Sequence, residues 1–301
     1  MTGARQARPA GARATLDKAA DENFPVAPFF LPRAWRGDLM AVYGYARLVD
    51  DIGDGDLDPG GADARWLGAD GADRLALLDA LDADLERVFA AGGTPRHPLL
   101  GALRPTVQRC SLTPEPFRAL IAANRQDQLV RRYGTWGDLL AYCELSANPV
   151  GRLVLGITGT ASPERIRRSD AVCTALQVVE HLQDVAEDLA RDRVYLPAED
   201  LKRFRVTEDE LAAPSAGASV RALVAAEAER AAGLLDEGAA LAGSVHGRLR
   251  LLLAGFVGGG RAALAAIAAA GHDVLPGPPK ATKVEVLRET GLVLRRARRK
   301  G

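Results

Sequence analysis

Two short acidic runs carry residue types at a spacing that chemistry can use. Asp50, Asp51 and Asp54 close one apolar-periodic segment. Glu180, Asp184 and Asp188, with Gln177 and His181 on the same side, make a polar stripe in another. Residues three or four apart on a helix share a face. Asp50 therefore stands over Asp54, Asp184 over Asp188, and Arg47 lies one turn before the first set. Two carboxylates about 6 Å apart repel by roughly 3 kcal/mol at an effective dielectric near 20. A cation is the natural remedy. Mg²⁺ is hard, prefers oxygen, and typically takes one or two carboxylates plus substrate phosphates. Two such faces opposed across a helical cavity would clamp a diphosphate and stabilise charge on a leaving group. The two runs differ in strength. Gly53 and Gly55 let the first read equally as a solvated turn, whereas the second reads as lying mid-helix in an otherwise apolar run.

The segments that must hold these residues read as helices. After Pro32, residues 33 to 50 repeat Leu39, Val42, Tyr43, Ala46 and Val49 at helical spacing. A Gly/Asp-rich stretch from Gly53 to Gly71 reads as a long loop. The next helix spans about 72–90, with Leu75, Leu78, Leu81, Leu85 and Val88 on one side. Further helices are expected over about 97–109, 114–133, 135–158, 163–190, 219–243, 248–270 and 280–300. Several open just after Thr113-Pro114, Thr135 or Ser162-Pro163, as helix capping predicts. Pro149 should kink the helix that contains it. Strand patterns are almost absent, and no linker divides the chain. The expectation is one all-α domain over 16–290, with a tail over 1–15 and a basic tail over 291–301.

Bulk properties exclude several classes. Lys+Arg and Asp+Glu both number 39, so nothing points to a nucleic-acid surface. Cys110, Cys143 and Cys173 lack metal-type spacing and read as reduced core residues of a cytosolic protein. No apolar stretch follows Arg5, Arg8 and Arg13, so the start is not a secretory signal. The apolar region 249–270 is broken by Arg250, Gly258-Gly259-Gly260 and Arg261, and reads as a core helix instead of a lipid span. Those glycines lie inside a helical pattern, which fits close helix packing and not a phosphate loop. No spacing defends a Ser-His-Asp or Cys-His set. His181, beside the acidic stripe, reads as a core or surface residue. The basic end, Arg295, Arg296, Arg298, Arg299 and Lys300, reads either as a solvated tail or as a transient contact with a membrane surface.

Several ordered motifs resemble the squalene and phytoene synthase family, over about residues 22 to 261. Tyr43 to Asp51 resembles its first aspartate motif with the preceding arginine. Tyr142-Cys143 followed by Asn148-Pro149-Val150-Gly151 resembles the helix that carries its active-site tyrosine. Gln177 to Asp188, then Asp192 to Pro197, resemble its second aspartate motif and trailing Arg-Val-Tyr-Leu-Pro segment. Glu22 to Ala27, Ser146 to Leu155 and Gln183 are similar to the hydroxysqualene synthase branch of bacterial hopanoid biosynthesis. Glu180 stands where the family often has Asn, and Asp21-Glu22-Asn23 replaces a Ser-rich, basic phosphate contact.

The resemblance implies an isoprenoid-synthase-like helical bundle with a central active-site cavity. It implies Mg²⁺ held by Asp50, Asp54, Asp184 and Asp188, with Asp51 and Glu180 as further ligands. Arg47 and Arg193 would contact diphosphate oxygens, with a plain salt bridge to Asp50 or Asp51 the alternative for Arg47. Tyr142, Tyr43, Phe24 and Tyr195 would line the cavity, since aromatic faces stabilise cations. Asn148 or Gln177 would orient the quenching water. The implied reaction is a carbon–oxygen lyase step. Presqualene diphosphate ionises, rearranges and captures water to give hydroxysqualene and diphosphate. The alternatives are head-to-head condensation of two prenyl diphosphates, or a non-catalytic helical partner in a hopanoid-enzyme complex. Expected partners are the prenyl diphosphate and pathway enzymes, with no nucleic acid. The expected location is the cytoplasm, peripheral to the inner membrane face.

Overall fold

The computed structural model describes residues 16, 18 and 26–299, and every named element among them is a helix. Phe24, and most of the motif from Glu22 to Ala27, lie outside the described residues, as does the segment 1–15. The described residues fall into two compact units. Among the described residues, one unit draws on those up to 128 and on 156–159, the other on 129–155 and 160–299.

The first unit contains α1 (Arg33–Asp54), α2 (Ala62–Leu67), α3 (Arg74–Phe89), α4 (Pro98–Cys110) and most of α5 (Glu115–Leu129). Helix α1 packs on α3 and α4, and α2 packs on α3. Its buried stripe is Leu39, Val42, Tyr45, Leu48, Val49 and Ile52. Tyr43 and Ala46, expected inside, are half-buried. Tyr45 takes the core position, because its ring meets Phe117 edge-on at 5.2 Å and its hydroxyl donates to the Phe117 carbonyl at 2.9 Å. In α3 the same shift appears on a smaller scale. Leu77 is buried and Leu75 is exposed.

The stretch expected as one loop from Gly53 is partly helical. Helix α1 runs on through Gly53 to Asp54, and Gly55 ends it in the left-handed conformation (φ 79°) that glycine adopts without a Cβ clash. Helix α2 then occupies the middle of the stretch. Buried His97 fastens it: Nδ1 accepts the Leu99 amide at 3.2 Å, so Nε2 carries the hydrogen and donates to Asp63 at 2.9 Å. Asp84, fully buried, accepts the amides of Arg96 and His97.

The second unit contains α6 (Trp136–Ser146), most of α7 (Asn148–Ile157), α8 (Pro163–Gln183), α9 (Val185–Ala190), α10 (Ala198–Phe204), α11 (Glu208–Leu211), α12 (Ala218–Gly238), α13 (Ala240–Gly243), α14 (Gly247–Ala269) and α15 (Lys283–Arg299). Helix α8 packs along α12 and also meets α6 and α14, while α14 pairs with α15. The caps follow the sequence. Thr135 and Asp138 form a reciprocal capping box at α6, and Ser162 accepts from the Arg165 amide at α8. The expected helix over 135–158 divides at Ala147, just before Pro149.

Helix α14 is long and apolar enough to cross a membrane by length and composition, but half of its most apolar stretch is buried inside the fold. Its glycines permit close packing. A Cβ on Gly258 would lie 2.5 Å from the Thr290 amide nitrogen of α15, and one on Gly260 would meet Leu176 at 2.8 Å. The basic end, read from sequence both as helix and as tail, is helical through Arg299, with Val293 and Ala297 buried. Burial pushes the Cys143 thiol up to about 12 and the Cys173 thiol up to about 11, so neither offers a thiolate near neutrality.

Candidate functional site

In the first unit, the end of α1 sorts its three aspartates by direction. Asp50 is exposed and accepts a hydrogen bond from Asn124 Nδ2 at 3.2 Å. Asp54, the last residue of the helix, is half-buried. Asp51 turns the other way. It is buried and accepts from Arg47 Nε at 2.8 Å and from Lys18 Nζ at 2.8 Å. Asp56 completes this set at 3.8 Å from Arg47 and 3.9 Å from Lys18. The salt-bridge reading of Arg47 therefore holds for Asp51. Gly53 is what lets Asn124 come so close, because a Cβ there would sit 1.9 Å from Asn124 Oδ1. Gln128 Nε2 then donates to the Gly53 carbonyl at 2.9 Å.

In the second unit, the acidic stripe does not lie on one continuous helix, contrary to the mid-helix expectation. Asp184 stands at a break between α8 and α9, at φ −105° and ψ 13°. Backbone bonds nevertheless bridge the break. The Asp184 amide donates to the Glu180 carbonyl at 3.0 Å, and the Asp188 amide to the Asp184 carbonyl at 2.8 Å. Asp184 and Asp188 thus stay one hydrogen-bonded turn apart. Glu180 is exposed one turn earlier. Burial, then repulsion from Asp188 and Glu187, raises the Asp184 carboxyl above its ordinary value.

A second chain segment brings aromatic rings to this turn. Val194 bridges Arg132 in parallel, and the amides of Val194 and Ala198 donate to the carbonyls of Arg131 (2.9 Å) and Tyr133 (2.8 Å). Arg132 fixes the turn by donating to the Asp192 carbonyl at 2.6 Å and to Glu208 at 2.6 Å. As a result Tyr195 stacks on Tyr133 at 5.6 Å and meets Tyr142 at 5.5 Å. His181 stacks on the ring of Tyr195. It also lies 3.3 Å from Gln177 Nε2 and 3.8 Å from Asp188. The Arg193 amide donates to the Asp188 carbonyl at 2.8 Å. A narrow niche is lined by His181, Asp188, Arg193 and Tyr195, with Val185 and Leu211 in its apolar wall.

Of the residues expected from sequence, this unit gathers Gln177, Asp188, Arg193, Tyr142 and Tyr195 around one histidine. Asn148 is buried, and its Oδ1 accepts at 2.9 Å from Thr174 Oγ1, one helical turn before Gln177. Tyr43, half-buried, belongs to the first unit. Tyr133 was missed, and His181, read as a core or surface residue, is buried within the cluster. His181 carried a signal, one turn after Gln177 and seven residues before Asp188. Tyr133 carried none, because its place in the stack depends on pairing with a distant segment.

Mg²⁺ fits the donor set. Among the described residues, no three or more histidines, cysteines or carboxylates converge as a ready-made cage. Mg²⁺ does not need one, since it commonly takes one or two carboxylates and completes its shell with water and phosphate oxygens. Asp184 and Asp188, mutually repelling on one turn, offer such a pair, and Asp50 with Asp54 offers another.

Residues 17–287 match the family model described as squalene/phytoene synthase. The chain is 32% identical over 229 residues to a hydroxysqualene synthase of Zymomonas mobilis, covering 75% of this chain and 71% of that one. It is 34% identical over 227 residues to a 15-cis-phytoene synthase of Synechococcus elongatus, covering 68% and 69%. Among solved structures it is similar to squalene synthase HpnC from Alicyclobacillus acidocaldarius. That likeness has 42% identity and a TM-score of 0.74, over 88% of this chain and 97% of that one. A dehydrosqualene synthase solved with a ligand shares the fold at 22% identity and a TM-score of 0.81. The helical fold is thus of the isoprenoid-synthase type, and the chain belongs to the squalene/phytoene synthase family.

Proposed function

We propose that this enzyme converts presqualene diphosphate and water to hydroxysqualene and diphosphate. The observation that carries the reading is the 42% identity to squalene synthase HpnC over 88% of the chain. The hydroxysqualene synthase relative supports it, and so does the cluster of Asp184, Asp188, Arg193 and Tyr195.

Asp50 with Asp54, and Asp184 with Asp188, are the proposed metal ligands, with Asp51 and Glu180 in supporting places. Mg²⁺ held at either pair would supply positive charge to neutralise a leaving diphosphate. Asp51 also holds Arg47, and the Arg47 and Arg193 guanidiniums suit diphosphate oxygens through their forked geometry. The carbon–oxygen bond breaks with its electron pair on the diphosphate, leaving a cyclopropylcarbinyl cation. Tyr142, Tyr195, Tyr43 and Phe24 are proposed to line the space in which that cation rearranges, since aromatic rings stabilise cations. Water then adds through oxygen and loses one proton to diphosphate or solvent. Gln177, half-buried beside His181, and Asn148 are the candidates to orient it. The proposed setting is the cytoplasm, in hopanoid biosynthesis.

The 15-cis-phytoene synthase relative supports a second reading, condensation of two prenyl diphosphates head to head. Separate incubations with presqualene diphosphate and with farnesyl diphosphate, each with Mg²⁺, divide the two. Turnover of presqualene diphosphate alone supports the first reading, and turnover of farnesyl diphosphate alone sinks it.

A further inference from the structure

Helix α15 buries one side and leaves an apolar strip on another. Thr290, Val293 and Ala297 face inward. Gly258 and Gly243 of α14 and α13 close against Thr290 and Ala297. On the outside, Val284 is 75% exposed and Leu287 71% exposed. At about 100° per residue, these two and the half-buried Gly291 and Leu294 follow a three-four-three rhythm and fall within one quarter of the helix circumference. Exposed cations border this strip on both sides, Lys283 on one and Arg288 with Arg295 on the other. The helix's two acids lie on the flank away from the strip. One of them, Glu285, is already occupied by the amide and hydroxyl of Thr282 at the N-terminal cap.

We infer that this face of α15 seats the protein on an anionic phospholipid surface. Apolar residues lining one side of a helix, with cations at the borders, match a helix lying in the headgroup plane. Two exposed and two half-buried positions on one helix make a narrow strip. A stable protein–protein contact takes roughly 800 Å² per partner, whereas a bilayer accepts a narrow strip when cations add attraction to negative headgroups. The inference does not rest on which prenyl diphosphate the enzyme uses.

Vesicle co-sedimentation of the purified full chain tests it. Phosphatidylcholine vesicles are compared with phosphatidylcholine containing about one third phosphatidylglycerol. The protein should sediment with the anionic vesicles only, and high salt should release it. Arg288→Gln and Arg295→Gln should each lower the partition coefficient about fivefold, and Leu287→Ser about tenfold. Because these side chains are exposed, circular dichroism should show unchanged helicity. Three outcomes overturn the inference: no sedimentation with either vesicle, equal sedimentation with both, or wild-type binding by all three variants. A fourth also overturns it: self-association without vesicles that Leu287→Ser abolishes, since the strip then covers a second copy.

Discussion

The imidazole of His181 lies flat on the ring of Tyr195, with centroids 3.7 Å apart and planes 12° from parallel. His181 is buried and reaches Gln177 on one side and Asp188 on the other. It therefore ties an aromatic wall to an acidic turn. His181→Ala removes the stacking partner, and kcat/KM should fall about tenfold, the scale of one aromatic pair. His181→Phe keeps a flat ring and should retain most activity. Steady-state kinetics on both variants checks this, and equal losses would show that stacking is not what matters.

The mutual repulsion of Asp184 and Asp188 predicts that each is needed for its charge. Asp188→Asn preserves shape and removes that charge. Its kcat/KM should fall by about a hundredfold, and half-maximal activity should need more Mg²⁺. Titration of activity against Mg²⁺ is the measurement. An unchanged Mg²⁺ response would remove Asp188 from the ligand set.

Gly53 is a packing requirement. Gly53→Ala places a methyl on Asn124, which must move and give up its bond to Asp50. A loss of about 1–3 kcal/mol is expected, as for other overpacked sites. Thermal unfolding should show it, and adding Asn124→Ala should recover much of the lost melting temperature. Full stability in the single variant would contradict the close approach.

Burial first, and then neighbouring Asp200, raises Glu227 to about 7 from an ordinary 4.5, although Arg230 lies at 2.9 Å from Glu227 and 2.6 Å from Asp200. Arg230 is shared between two buried carboxylates, with Arg203 a further 3.8 Å from Asp200, so folded Glu227 keeps its proton up to about pH 7. Between pH 4.5 and about 7 the unfolded chain binds fewer protons at this site than the native one. Its contribution is complete below pH 4.5, falls as pH rises through 7, and is level above. The loss is about 3 kcal/mol at most. Glu227→Gln abolishes that slope, so the variant should gain on wild type by about 2–3 kcal/mol between pH 5 and pH 8. Denaturant unfolding at the two pH values checks it, and an equal gap at both would rule it out.

Helix existence was legible because the apolar spacing is strong and the caps at Thr135 and Ser162 are chemically explicit. The break at Asp184 was not, since Gln183-Asp184-Val185 contains no Gly or Pro and the backbone bonds continue across it. The choice of Tyr45 over Tyr43 for the core was hidden as well. Both fit a helical rhythm, and a contact with Phe117, seventy-two residues away, decides between them. The acidic and basic residues of the candidate site were readable from spacing and motif. Their sorting was not. Asp51 turns into ion pairs, Asp50 turns out, and His181 joins the aromatic wall, each because of a partner distant in sequence or a helix bend.

Mass spectrometry of the organic product formed from presqualene diphosphate and Mg²⁺ in heavy-oxygen water tests the central claim most directly. The account predicts a hydroxylated C30 product that carries one heavy oxygen from solvent, released with diphosphate. A hydrocarbon product, or a hydroxyl without the solvent label, would contradict it.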